Sequence, residues 1–262
     1  MLAPRKILVS GTSSGLGRYL AEAFDATVCI SRETPLSFDL HADACSPYDM
    51  IIHCAANSQR DVPLNELGAY LNDNVILTEQ LTQIPHKTFV YLSTISVYTP
   101  EESRVCTEDD ELVLGEMSNL YTTTKLMSEA LVRSACERHL ILRPTSLLGV
   151  NSRPSSIIKI LSGEPCSLTL AGDSAFNCIL HSDVYEFIEK AVEGGAIGIF
   201  NLASQSKVRL NEIVGSDNKQ VKFGSYHYKI GTIDNRKAAA IHEPFDEPSS
   251  VVIERFRALM GY

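Results

Sequence analysis

The sequence predicts an α/β fold: a doubly wound parallel sheet with a small, interleaved C-terminal lobe. Three observations predict it. Short apolar runs alternate with longer amphipathic segments, as a parallel sheet covered by helices on both faces requires. The first run opens directly into a turn carrying Gly11, Gly15 and Gly17. Beyond Arg143 the alternation loosens, because Pro144, Pro154, Pro165 and several glycine turns interrupt it. The sheet domain is therefore expected over 1–145 and about 177–204, and the lobe over about 146–176 and 205–262.

Taken in order, "KILVS" (6–10) reads as a buried strand, followed by the helical "GLGRYLAEAF" and a second strand, "TVCIS" (27–31). "MIIHCAA" (50–56), the helical "LNELGAYLNDNVILTEQL" and "TFVYLST" (88–94) repeat the unit. A further helix, "SNLYTTTKLMSEALVRSACE", leads to the strand "HLILRPT" (139–145). "FNCILHSDVYEFIEKAVE" (176–193) and "GIFNLA" (198–203) again read as core elements, which is why the two lobes are expected to interleave. Right-handed crossovers make such a sheet doubly wound.

Bulk properties narrow the function. The chain has 262 residues, 44% apolar and 21% charged, as an ordinary globular protein does. A net charge of −9 leaves no electrostatic footprint for nucleic acid or an anionic membrane. Seven cysteines (Cys29, Cys45, Cys54, Cys106, Cys136, Cys166, Cys178) are odd in number and scattered, without C-x-x-C or zinc spacing. Reduced thiols in a cytoplasmic protein and no metal site are the expectation. The N-terminus runs straight into the first strand with no signal-peptide core, and no apolar run approaches the roughly 18 residues of a membrane span. His53 and His181 lie in apolar runs and read as hydrogen-bonded core residues.

The turn "SGTSSGLG" is the first candidate site. Glycine removes the Cβ where the chain turns sharply and a pyrophosphate must approach, and the free amides of the following helix face the anion. Thr12, Ser13 and Ser14 add hydroxyl donors, and Leu16 opens the helix. At the end of the second strand, where a dinucleotide fold holds the adenosine ribose, Ser31 and Arg32 stand instead of an acidic residue. A guanidinium suits a 2′-phosphate, so NADP (NADPH) is expected over NAD, with NAD still possible. Asp39, beside Leu40, is a candidate acceptor for the adenine amino group.

Tyr121 and Lys125 are the second candidate site. Residues four apart share a helix face. A phenol titrates near 10 in water, too high for a good base near neutrality, and an adjacent ammonium is expected to lower it.

These features in this order resemble the short-chain dehydrogenase/reductase family, in its extended branch of nucleotide-sugar epimerases, dehydratases and reductases. Gly11–Gly17 match the family's cofactor loop, "HCAAN" (53–57) its segment along the cofactor, Asn74 its helix asparagine, "YLSTISVY" (91–98) its active-site strand and "YTTTK" its Tyr/Lys pair. "LRPTSLLG" (142–149), "ILHSDV" (179–184) and "DNRKA" (234–238) follow in the branch's order. The resemblance implies a Rossmann sheet and a catalytic trio of Thr94, Tyr121 and Lys125. The tyrosine would give a proton to, or take one from, the substrate oxygen, and Thr94 would hold that oxygen. Ser93 and Ser96 compete with Thr94, Ser96 sharing its face if the strand continues. Cofactor contacts are implied at Cys54, Ala55, Ala56, Asn74, Ser93, Pro144 and Ser146, besides the glycine loop, Tyr121 and Lys125. Substrate contacts are implied at Asn57, Ser96 and Asn177.

Two departures stand out. The glycine spacing is that of the family's single-domain branch, and Asn177 stands where extended members often carry a diphosphate-binding arginine. Arg153, Arg209 and Arg236 are the candidates to replace it. The functional expectation is an NADPH-dependent reductase of a keto group on a nucleotide-linked sugar. An epimerase with retained NAD(P) is the alternative, and a non-catalytic NADP-binding regulator the alternative from another class. A homodimer is expected through the helices "LNELGAYLNDNVILTEQL" and "SNLYTTTKLMSEALVRSACE".

Overall fold

The computed structural model describes residues 5–36, 46–99, 101–117, 119–214, 220–228 and 230–261. Strand β1 (Ile7–Ser10) leads into helix α1 (Gly15–Ala23), followed by β2 (Val28–Ile30) and β3 (Tyr48–His53). Helices α2 (Leu67–Leu71) and α3 (Leu77–Thr82) precede β4 (His86–Leu92), and α4 (Leu120–Ala135) precedes β5 (His139–Pro144). Next come β6 (Ser146–Leu148), α5 (Ser156–Leu161), β7 (Cys178–Leu180), α6 (His181–Glu193) and β8 (Gly198–Leu202). Helix α7 (Ser249–Met260) lies near the C-terminus.

The central sheet has the order β8-β5-β4-β3-β1-β2, with every pair parallel. Period-two alternation sends Ile7 and Val9 to one core with Leu20, Phe187 and Phe200, while Leu8 joins Phe89, Val132 and Ile141 on the opposite face. Both faces are thus buried, which is why the strands read as continuous apolar runs. Because β2 and β3 flank β1 on its two sides, the chain's direction across the sheet reverses there. The crevice beyond the carboxyl ends of β1 and β3 is the switch point where such folds bind ligands.

Three expectations change. The single helix expected over 64–81 is divided, with a π-helical stretch, Asn72–Ile76, between α2 and α3. Asn74 sits in that stretch, and its carbonyl accepts from Thr78 Oγ1 (3.0 Å) and Ser128 Oγ (2.8 Å). Strand β7 pairs with β6 rather than entering the main sheet. Its Cys178 and Leu180 face the lobe's core with Leu148, Ile157, Leu210, Val252 and Phe256, and only Ile179 faces the sheet core. Conversely, Ala238 and Phe245, assigned to the lobe by position, return to the sheet core, where Phe245 lies 5.8 Å from Phe187 between ring centroids. Apolar burial decides both cases, not sequence proximity.

Among the described residues no helix is long and apolar enough to cross a membrane, and no cluster of metal-ligating side chains occurs. The described cysteines are free thiols.

Candidate active site

At the end of β1 the chain turns with Gly11 at φ +81°, a left-handed conformation that disfavours a Cβ. A Cβ on Gly11 would stand 2.6 Å from Ala55 N, and one on Gly17 would stand 2.4 Å from Gly11 O. The turn is therefore pressed against both β3 and α1, leaving a cradle that side chains would fill. Gly11 N donates to Ile30 O at 2.8 Å, tying the turn to the end of β2. The helix behind it is α1, whose first amide, Gly15 N, donates to Asn151 O.

A cleft of about 860 Å³ runs over this cradle. Gly11, Ser13, Ser14, Ser31, Arg32, Ala55, Ala56 and Asn57 line it, as do Asn151 and Arg153 from the loop after β6. The residues present fit a dinucleotide: a glycine cradle for the pyrophosphate, and Arg32 beyond β2 with no hydrogen bond or ion pair to the described residues. Ser31 Oγ accepts from the amides of Glu33 (3.1 Å) and Thr34 (3.2 Å), closing the turn that presents Arg32. Thr12 folds back, its Oγ1 donating to Ile30 O at 3.3 Å. Leu16 packs in the core, and Cys54 packs against it from beneath. Asp39 and Leu40 lie outside the described residues.

Asn74 does not line the cleft. It is nine-tenths buried and clamps the strand-end loop instead, accepting from Asn57 N (2.6 Å) and donating to Asn57 O (3.0 Å). The cleft wall at Asn57 is thereby held by the π-helical stretch before α3. His53 is a core residue, with Nδ1 2.6 Å from Ser10 Oγ and Nε2 2.9 Å from Thr78 Oγ1.

Thr94, Tyr121 and Lys125 come together where β4 ends against α4. Thr94 caps a single 3-10 turn, Ile95–Val97, and its Oγ1 accepts from Ser96 N at 3.1 Å. The strand has ended at Leu92, so Ser96 sits on the turn and does not share a strand face with Thr94. Asn119 caps α4, accepting from Thr122 N at 3.1 Å. That start places Tyr121 in the first turn of the helix, near enough to Thr94 for its hydroxyl to favour the phenolate. Lys125 is buried, 4% exposed, with Nζ donating to Leu92 O at 2.6 Å and lying 5.9 Å from the Tyr121 ring centre.

The electrostatics differ from the expectation. Burial pushes the Tyr121 phenol above its ordinary range, and the charges of Arg153 and Arg60 and the Thr94 hydrogen bond oppose it only in part. Lys125, pulled toward the Leu92 carbonyl, does not lower it. Burial brings Lys125 itself down from 10.5 to about 8. The phenol is thus protonated near neutrality, and the ammonium is only just so.

The remaining candidates scatter. Ser93 Oγ donates to Glu129 Oε1 at 2.5 Å rather than facing the cleft. Pro144 is buried at the end of β5, and Ser146 N donates to Asn177 O at 3.1 Å. Asn177 is itself 5% exposed, its amide donating to Ser204 O at 2.9 Å. Arg153 reaches the glycine loop, Nε donating to Ser14 Oγ at 3.4 Å, while Asn151 O accepts from Gly15 N at 2.8 Å. Arg209 is exposed and lies 3.8 Å from Glu212, and Arg236 pairs with Asp234 at 2.5 Å. Arg60 was missed by sequence reading. It stands in the loop after β3 beside a hollow formed with Asn119 and Leu120, and its charge acts on both Tyr121 and Tyr228. No local pattern marks it.

A model of the NAD dependent epimerase/dehydratase family matches residues 7–203. The chain belongs to this family. Its members work through a nicotinamide cofactor at a CH–OH or C=O group, and the epimerase/dehydratase fold is seen in solved structures similar to this chain. MoeE5 in complex with UDP-glucuronic acid and NAD has a TM-score of 0.75 at 21% identity, covering 97% of this chain and 99% of its own. The UDP-glucuronic acid 4-epimerase from Bacillus cereus, in complex with UDP-glucuronic acid and NAD, has a TM-score of 0.70 at 20% identity, covering 95% and 99%. A dTDP-4-dehydrorhamnose reductase from Clostridium acetobutylicum ATCC 824 has a TM-score of 0.74 at 17% identity, covering 98% and 100%. The similar structures thus include both epimerases and a reductase on one epimerase/dehydratase scaffold.

Proposed function

We propose that this family member reduces a keto group on a nucleotide-linked sugar, drawing on NADPH, with Tyr121 as the proton donor. The observation that carries the reading is the assembled trio: a half-buried Tyr121 beside Thr94, with a buried Lys125 one turn behind it. A nicotinamide, when bound over the cleft, would supply the hydride. Gly11, Ser13 and Ser14 would hold its pyrophosphate, Arg153 would add a cation there, and Lys125 would hold its ribose. Thr94 positions the substrate oxygen and donates to it as charge develops. Tyr121 then delivers its proton to that oxygen, and a phenol held above its ordinary range is suited to remain an acid until that moment.

Arg32 supports the NADPH preference, because it lines the cleft beyond β2 and no carboxylate among the described residues pairs with it. A second reading, epimerisation with retained NAD, is supported by the NAD bound in the similar structures of epimerases. A homodimer packed through the helical segment 64–81 and α4 is part of the proposal; Ile76 and Met127 on those elements are 43% and 38% exposed. Free thiols support a cytoplasmic setting.

Fluorescence titration with NADPH and NADH, on wild type and Arg32→Ala, tests the reading. NADPH affinity should fall about 10- to 100-fold in the variant, the loss of one charged hydrogen bond to a phosphate, while NADH affinity stays level. Preferential binding of NADH by the wild type would exclude the NADPH reductase and leave the epimerase. Sugar nucleotides bearing a keto group, added with NADPH, then report turnover at 340 nm.

A further inference from the structure

Glu129 lies on α4 one turn beyond Lys125, and nothing in the reaction itself uses it. Its carboxylate is 2% exposed, yet it is fully engaged. Oε1 accepts from Ser93 Oγ at 2.5 Å and from Arg143 Nε at 3.0 Å, and Oε2 accepts from Arg143 Nη2 at 2.6 Å. Ser93 immediately precedes Thr94 just beyond β4, and Arg143 stands near the end of β5. One carboxylate therefore joins the catalytic helix to two neighbouring strands. Arg143 extends the network, its Nη1 donating to Tyr98 Oη at 2.9 Å, and Tyr98 Oη donates to Asn201 Oδ1 at 2.7 Å. Tyr98 closes the turn that begins at Thr94. Both ends of that turn are thus anchored to the same buried ion pair.

We propose that Glu129 is a positioning residue of the active site, its carboxylate fixing Ser93, and with it Thr94, against α4 while facing Lys125 from the next turn. The inference rests on the reading of Lys125 as the cation that holds the cofactor ribose. The groups facing Lys125 from the elements packed around it are His53 and Cys54 on and after β3, Tyr91 on β4, Tyr121 and Glu129 on α4, and Arg153 from the loop after β6. His53 is neutral above pH 4, because burial and the Lys125 charge bring it to about 3. Cys54 is a thiol, held at about 12 by burial. Arg153 opposes a second cation. Glu129 is thus the carboxylate that supports the Lys125 charge against burial. A buried ion pair is a weak source of stability but a strong constraint on geometry, and here it constrains the two segments that carry the trio.

The test uses NADH binding, followed by nicotinamide fluorescence from pH 6 to 9.5, and needs no substrate. Lys125→Met supplies the reference without the titrating group. In the wild type, affinity should fall as pH rises through about 8, where Lys125 loses its proton. In Glu129→Gln that midpoint should drop by roughly one pH unit, since the supporting charge is gone while the side chain's size is kept. Ser93→Ala keeps the carboxylate and should keep the wild-type midpoint. An unmoved midpoint in Glu129→Gln overturns the proposal, and so does a Ser93→Ala midpoint lowered as far as that of Glu129→Gln. If Glu129→Gln fails to fold around an unpaired Arg143, Glu129→Gln/Arg143→Met compared with Arg143→Met isolates the carboxylate, and a midpoint no lower in the double variant than in Arg143→Met overturns the proposal. Absence of both NADH and NADPH binding by the wild type would instead refute the nicotinamide reading itself.

Discussion

Lowering the pH from 7.5 to 5.0 should cost the fold about 2 kcal/mol through His53 alone. His53 is 0% exposed, and both ring nitrogens are engaged by hydroxyls, Ser10 on one side and Thr78 on the other. Burial, with the Lys125 charge adding to it, brings the folded-state pKa from 6.5 down to about 3. As pH falls through 6.5 the unfolded chain takes up a proton that the folded chain refuses. Stability is therefore fully present above 6.5 and is lost progressively toward 3. Each unit in that window is worth about 1.4 kcal/mol, and the 1.5 units from 6.5 to 5.0 make up the loss. His181, brought to about 4 by burial, adds a loss of similar size over the same interval. Urea unfolding at pH 7.5 and 5.0 on wild type and His53→Asn separates the two. The variant pays a pH-independent cost for its lost hydrogen bond, but its loss between the two pH values should be smaller than the wild type's by about 2 kcal/mol. The same loss in both proteins would show that His53 is not held neutral, and the reasoning would fail.

Three further outcomes are expected. Gly11→Ala places a Cβ 2.6 Å from Ala55 N at a φ of +81°; a backbone strain of about 1–2 kcal/mol should weaken NADPH binding roughly tenfold or more, measured by fluorescence titration. Tyr121→Phe should lower turnover of a keto-sugar nucleotide by about 10²-fold or more while leaving cofactor affinity within about threefold, because only the proton is removed; equal rates would dismiss Tyr121 as the donor. Arg255→Ala strips the guanidinium 2.7 Å from Asp183, a carboxylate only 2% exposed, and should destabilise the fold by about 3 kcal/mol in urea unfolding.

The local features of this protein were legible in its sequence. Apolar runs marked β1, β3, β4, β5 and β8 to within about three residues at each end, because a buried parallel strand has no polar face to disguise it. The three glycines after β1 and the four-residue spacing of Tyr121 and Lys125 are equally local, since a sharp turn and one helical turn are fixed by neighbours in the chain. Glu129 could have been read from the same face, four residues beyond Lys125.

What tertiary structure alone decided depends on contacts between distant segments. Whether Arg153 or Arg209 approaches the cleft is set by how the loop after β6 folds over the glycine turn, 139 residues away in sequence from Ser14. Arg60 enters beside Tyr121 because β3 and α4 are brought together by the sheet, and no spacing in the chain encodes that. Ser96 left the strand because Thr94 capped a turn, and Phe245 returned to the sheet core because that was the apolar surface open to it. The charge state of the site belongs to the same class. A Tyr/Lys spacing suggests a lowered phenol, but the sign is governed by burial, and burial exists only once the lobe, the sheet and α4 have closed around the pair.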